Sequence, residues 1–164
     1  MLKALIVLSG ALLGLAAVGL SQDRTAGVVG IDAIAARQAS LDMSSITFRS
    51  IDAAVSAGSD VKSLGYSAAA LAKWAKALPG MFPRGTGKGE TSVFSQALPT
   101  IWQDRTGFDR AAANYAAATA KLAALAQASD TAGFTKQLEE VNQACAACHL
   151  VYKDGDKGGP RSRR

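Results

Sequence analysis

Phe134-Thr-Lys-Gln-Leu138-Glu-Glu-Val141-Asn-Gln-Ala-Cys145-Ala-Ala-Cys148-His149-Leu-Val-Tyr152 carries both the helical pattern and the chemistry of this 164-residue chain. Phe134, Leu138, Val141, Cys145, Cys148 and Tyr152 step by four and three alternately. That is the spacing of a helix with one narrow apolar seam. Within it, Cys145-Ala-Ala-Cys148-His149 reads C-x-x-C-H, the attachment pattern of c-type haem. The sequence has 2 cysteines and 1 histidine, and all three lie here. Positions i, i+3 and i+4 share a helix face. Two thiols can therefore reach the vinyl groups of one haem edge while the imidazole of His149 ligates iron.

Other chemistries fit the motif less well. A redox C-x-x-C of the thioredoxin type sits after a strand within a βαβ unit, and no strand alternation precedes Cys145. A structural zinc site takes four ligands, whereas Cys145, Cys148 and His149 supply three. A disulfide between residues one helical turn apart is geometrically poor.

The rest of the chain reads as one helical domain. Residues 1–21 have the layout of a secretory signal: Lys3, then an uncharged apolar run from Ala4 to Leu20, then small residues before Asp23 and Arg24. The run is short and Gly-rich for a spanning helix, so no stable membrane association is expected after cleavage. Covalent haem is assembled outside the bacterial cytoplasm, so an export signal and C-x-x-C-H agree and place the protein in the periplasm. Residues 28–154 form the expected haem-binding domain. Residues 155–164 read as a disordered basic tail ending Arg161-Ser-Arg-Arg164. The formal net charge is +5, but it is not gathered with aromatics on a folded face, so no nucleic-acid partner is expected. An acidic redox partner would be steered by it.

Four helical blocks follow from seven-residue apolar repeats. The first, from about Ile31 to Ala57, repeats Ile34, Leu41, Phe48 and Val55. The second, Asp60 to Leu78, repeats Leu64, Leu71 and Leu78, with Ser59 or Asp60 as cap and Pro79-Gly80 as stop. The third, Asp104 to Ala128, repeats Phe108, Tyr115 and Leu122. The fourth starts after Ser129-Asp130 and ends with the haem motif. Narrow seams and short turns near Gly58 and Ser129 predict an all-α fold, an antiparallel four-helix bundle with one covalently attached haem c. The long connection from Pro79 to Gln103 reads as a flexible loop near the haem propionates. Its apolar anchors are Met81, Phe82, Pro99, Ile101 and Trp102. Arg84-Gly-Thr-Gly-Lys-Gly-Glu90 lacks both the sequence and the strand context of a phosphate loop.

Function turns on the iron face opposite His149. A methionine there would give a six-coordinate electron carrier. Met43 lies two residues beyond Leu41, about 200° around the helix from the apolar seam. Met81 follows a helix end, where packing is its expected role. With neither bound, iron is five-coordinate beneath Leu41, open to NO or CO but without a hydrogen-bond donor for dioxygen. No acid–base residue remains for an enzyme once His149 is on iron.

These features resemble the cytochrome c′ family. The likeness spans about Ile31 to Lys153. It rests on Cys145-Ala-Ala-Cys-His149-Leu-Val-Tyr152-Lys153, on Arg37-Gln38 with Leu41, and on Ala77-Leu-Pro79 and Leu98-Pro-Thr-Ile-Trp102 flanking the loop. The resemblance implies high-spin haem c in an antiparallel four-helix bundle, a periplasmic setting and a homodimer packed through the first two helices. It implies that Arg37 and Gln38 lie near the propionates and that Leu41 covers the distal face. Thr100 falls at the haem edge, where members often carry an acidic residue. Lys153 falls beside the proximal imidazole, where it influences displacement of His149 by NO. The expected role is therefore a gas-binding cytochrome that also serves electron transfer with a periplasmic redox partner. The alternative is a His/Met electron carrier.

Overall fold

The structure, a computed structural model, describes residues 16–155, with side chains from Gly30 onward. The expected signal therefore lies outside the described residues over 1–15, and the basic tail over 156–164. Five α-helices are described: α1 (Ala16–Ser56), α2 (Gly65–Ala77), α3 (Thr100–Gln103), α4 (Arg105–Gln127) and α5 (Thr131–Tyr152). Four of them, α1, α2, α4 and α5, form the expected all-α bundle. The only β pairing among the described residues is an isolated bridge between Ala97 and Lys153.

Local chemistry sets the helix ends. Asp60 accepts from the Lys62 amide at the 3₁₀ turn Val61–Leu64 that leads into α2. Asp104 and Asp130 accept from the Gly107 and Gly133 amides at the starts of α4 and α5. Each satisfies a donor that the first helical turn leaves unpaired. After α1, Gly58 takes φ +79°. Its amide bonds Val55 O, and the Ser59 amide bonds Ala54 O. This is the paired pattern of a Schellman turn. The same pattern closes α4, where the Ser129 and Asp130 amides bond Ala126 O and Leu125 O. Here the left-handed position is Ser129, at φ 56°.

The main core joins Ile51 of α1, Ala68 and Leu71 of α2, Tyr115 and Leu122 of α4, and Phe134, Leu138 and Val141 of α5. The seven-residue repeats read in the sequence thus face inward. A second cluster, at the end where α5 finishes, gathers Ala97, Ile101, Phe108 and Tyr152 with Phe82, Trp102 and Cys148. Phe108 meets Phe82 and Tyr152 edge-on, with ring centroids 5.0 and 5.3 Å apart. Such T-shaped pairs add to the burial of apolar area.

The long connection is not the free loop that its glycines suggested. The Lys88 amide bonds Ala97 O, and the Leu98 and Asp154 amides pair with Tyr152 O and Gln96 O. Thr100 Oγ1 donates to Val151 O at 2.9 Å. The loop thereby satisfies carbonyls at the end of α5, and it turns through α3 into α4. α3 is too short to show a period in the sequence.

Ser129 holds a backbone region that costs an L-residue about 1–2 kcal/mol, of which glycine's greater unfolded freedom returns roughly half. Ser129→Gly is expected to stabilise by about 0.5 kcal/mol and Ser129→Val to destabilise by about 1 kcal/mol or more. Thermal unfolding followed by far-UV circular dichroism checks both signs.

Candidate haem site

α1 packs on α2, α2 on α4 and α4 on α5, which leaves a space between α1 and α5. The space left is a cavity of ≈ 780 Å³, within the ~300–1,000 Å³ span common for cofactor sites. Cys145, Cys148, His149 and Tyr152 reach it from α5. Arg37, Gln38, Leu41 and Phe48 reach it from α1. Trp74, Phe82, Phe108, Ala112 and Tyr115 complete the walls. The three motif side chains are each half-buried. Helical spacing brings them to one wall, as the sequence predicts.

The charged groups that line the cavity, Asp42, Arg49, Asp52, Glu139 and Lys153 among them, are half-buried or exposed. Burial pushes the Cys145 thiol up to about 11, and the neighbouring Cys148 adds to the shift. Burial alone raises Cys148 to about 11. Tyr115 is pushed up to about 12 by burial and then by Cys145, against the opposing hydrogen bond with Ser44. Arg37 is the exception. It is 3% exposed and forms no ion pair among the described residues.

These residues fit a covalent haem. Two thiols without a disulfide stand one turn apart, an imidazole follows, and apolar side chains such as Leu41, Phe48, Phe82 and Phe108 share the remaining wall with polar ones. A buried cation without a carboxylate partner also lines the cavity, which suits an acidic edge group.

A family profile described as Cytochrome C' matches residues 32–153. The chain belongs to the cytochrome c′ family. Members of this family bind haem c. Cytochrome c′ of Rubrivivax gelatinosus is 37% identical over 73 residues, which is 44% of this chain and 54% of that protein. Cytochrome c-554 of Cereibacter sphaeroides is 32% identical over 98 residues, 59% of this chain and 63% of that one. Each match spans less than two thirds of the relative's length. The crystal structure of cytochrome c′ from Rubrivivax gelatinosus superposes with a TM-score of 0.66 at 30% identity, covering 75% of this chain and 95% of that chain. A ferrous variant of cytochrome c prime from Alcaligenes xylosoxidans with bound NO gives 0.67 at 25% identity, covering 76% and 94%.

The positions carried over from cytochrome c′ do not all behave alike. Leu41 lines the cavity from α1, on the wall across from His149. Lys153 also lines it, next to the end of α5. Gln38 lines it too, and its Nε2 donates to Phe94 O at 2.8 Å. Thr100 does not line the cavity, because it is turned onto the Val151 carbonyl. Met43 is 63% exposed, as its angle from Leu41 predicts. Neither Met43 nor Met81 is among the lining residues.

Arg37 is the position where sequence reasoning said least. It is not a solvated helix-face arginine. Its Nη1 donates to Met81 O at 3.2 Å and Thr86 Oγ1 at 3.0 Å. Its Nη2 donates to Thr86 O at 2.9 Å and Ser95 Oγ at 3.1 Å. The guanidinium lies 4.5 Å from the Phe82 ring centroid, a cation–π contact. Thr86 and Ser95 carry no periodicity that would have marked them. Trp74 was findable, because it lies three residues after Leu71 and four before Leu78 on the same seam.

Removing Arg37 takes the donor from buried Thr86 Oγ1 and one of two donors from Thr86 O and Ser95 Oγ, which keep Ser95 Oγ and the Ala97 amide respectively. Arg37→Ala is expected to cost about 2–4 kcal/mol of stability. Arg37→Lys keeps the charge but loses the planar fork, so it recovers only part of that. Urea unfolding of the holoprotein measures both, and an unchanged midpoint in Arg37→Ala would remove the clamp from this account.

Proposed function

We propose that this chain is a periplasmic c-type cytochrome whose haem iron is ligated by His149 and left open toward Leu41. One observation carries the reading. Cys145, Cys148 and the sole histidine stand on one wall of the cavity, and no methionine stands on any wall. Haem c, when bound, supplies an iron able to take NO or CO. The rest is the work of the chain. Cys145 and Cys148 hold the macrocycle's edge, and His149 fixes its depth in the bundle. Leu41 and Phe48 exclude bulky and anionic ligands from the far side.

Arg37 has its charge free of any carboxylate, which supports a place beside the propionates, with Gln38 next to it. Lys153, beside the His149 turn, is positioned to bias release of the imidazole when NO binds. The bound NO of the Alcaligenes xylosoxidans relative supports the same ligand here. Capture of NO then limits nitrosative damage, with electron exchange with a periplasmic partner as an accompanying role. The reading is of a binding protein and not an enzyme, since His149, the sole histidine, is committed to iron. No described helix is long and apolar enough to cross a membrane, which agrees with export and release. Exposed Met43 and Ile46 on α1 support a homodimer through the first two helices. The six-coordinate His/Met reading lacks a methionine at the cavity.

Intact mass of the exported protein is expected to exceed the polypeptide by one haem, with no alkylatable thiol. The ferrous spectrum is expected to be high-spin and to change on adding CO or NO. A low-spin spectrum indifferent to both gases would replace this reading with the His/Met electron carrier.

Leu41→Ala removes the side chain that crowds the open iron face. It is expected to raise the CO association rate roughly tenfold, equivalent to about 1.4 kcal/mol of barrier. Flash photolysis measures this rate, and an unchanged value would displace Leu41 from the ceiling.

A further inference from the structure

Leu41, Ser44 and Phe48 follow one another at intervals of three and four on α1, so they share the face that lines the haem cavity. Ser44 is the polar member of that stripe. Tyr115 of α4 stands in the middle of the Phe108, Tyr115, Leu122 repeat and lines the same cavity. The Ser44 and Tyr115 side chains are hydrogen-bonded to each other. The phenol also stands close enough to Cys145 of α5 for that thiol to act on it. Its hydroxyl therefore reaches the gap between α1 and α5 that the cavity fills.

We propose that Tyr115, held by Ser44, donates a hydrogen bond to the outer atom of a diatomic ligand on the Leu41 side of the haem cavity. The inference rests on the haem-cavity reading above and adds a specificity group to it. The ligands favoured are diatomics whose outer atom gains negative charge, because those accept a hydrogen bond best. The sequence points to no donor on this side, since Leu41 offers none; Tyr115 supplies one from α4.

Three observations carry the inference. First, packing does not call for a hydroxyl at position 115. Phenylalanine fills the same place in the α4 repeat, and a buried hydroxyl is costly unless it is bonded. Second, each hydroxyl has one proton to give. One bond between the two uses one proton and leaves the other for a third group. The Ser44 bond opposes the rise in the Tyr115 pKa, as a hydroxyl donating to the phenol oxygen does. Ser44 thus supplies the inner proton, and the Tyr115 O–H is the one left over. Burial keeps that proton in place, since the phenol is pushed up to about 12. Hydroxyls in series also polarise one another, which strengthens the outer donor. Third, Tyr115 is the sheltered polar group. It is 7% exposed. Ser44 and Asp52 are half-buried, and Asp42, Ser45 and Arg49 are exposed, so water competes for their hydrogen bonds.

The test reads the hydrogen bond itself. Infrared spectra of the ferrous holoprotein with CO are recorded in light and in heavy water. A donor at the outer atom lowers the C–O stretching frequency, and exchanging its proton for deuterium shifts the band. The parent protein is expected to show that isotope shift. Tyr115→Phe keeps the ring and drops the hydroxyl. It is expected to raise the frequency and abolish the isotope shift. CO dissociation is expected to quicken roughly fivefold, equivalent to about 1 kcal/mol. Ser44→Ala is expected to move the band the same way by less, because Tyr115 then donates without its partner.

No isotope shift in the parent protein overturns the donor. So does an unmoved band in Tyr115→Phe or, where that variant does not fold, in Ser44→Ala. A variant that loses thermal stability while its band stands still reduces the pair to a tie between α1 and α4, and the donor is again overturned. Holoprotein that takes up no CO overturns the open-iron reading itself, and the donor falls with it.

Discussion

Everything at the haem cavity depends on keeping α1 and α5 apart and yet in register, and the buried Arg37 guanidinium supplies that constraint. From α1 it donates four hydrogen bonds into the long connection, to Met81, Thr86 and Ser95. The far part of the same connection pairs with the end of α5 through Gln96, Leu98 and Thr100. One wall is therefore tied to the other by a strap across the end of the bundle. A hydrogen bond to a charged group is worth about 1.5–3 kcal/mol, but burying the charge costs several kcal/mol in return. The net stabilisation is small beside the cost of breaking the arrangement. Arg37 acts more as a specifier of geometry than as a source of stability.

The strap needs a floor, and the aromatic cluster provides it. Phe82, Phe108 and Tyr152 belong to three separate segments, and their edge-on contacts fix the end of α5 directly below the haem motif. Arg37 stacks on Phe82, so the clamp and the cluster share a member. The exposed Lys88–Asp154 ion pair, at 2.7 Å, crosses the same junction but is half in water and contributes little. The position of His149 is thus set by apolar contacts and backbone pairing, not by surface charge.

Much of this was legible in the sequence, and what was not has a physical cause. Helical blocks, the Asp60 and Asp130 caps and the C-x-x-C-H run of Cys145, Cys148 and His149 depend on local spacing, which a sequence displays. So does the outward turn of Met43. The strap depends on contacts across 44 to 58 residues, between Arg37 and its partners, and no local pattern encodes them. The glycines of residues 84–90 pointed to a mobile loop because composition reports backbone freedom, not the bonds that remove it. Thr100 shows the limit of carrying a role by position: its place in the chain matches the haem-edge segment, but its hydroxyl is spent on Val151. Ser129 shows the opposite. A left-handed turn residue was hidden because the cap signal of Ser129-Asp130 was read only forward, into α5.

The cavity's two walls divide the labour unequally, and this sets what the protein is able to select. The α5 wall bears Cys145, Cys148 and His149. The α1 wall offers Leu41 and Phe48 beside Asp42, Arg49 and Asp52, with Arg37 and Gln38 toward the strap. The phenol of Tyr115, raised to about 12, stays neutral across the physiological range, so it places no changing charge in the interior. Arg37 has its pKa lowered by burial, yet arginine starts so high that it remains charged. The field inside the cavity therefore includes Arg37 and the Asp42, Arg49 and Asp52 groups of the same wall. A ligand at the centre is discriminated by size and by the cost of leaving water. That favours small uncharged molecules.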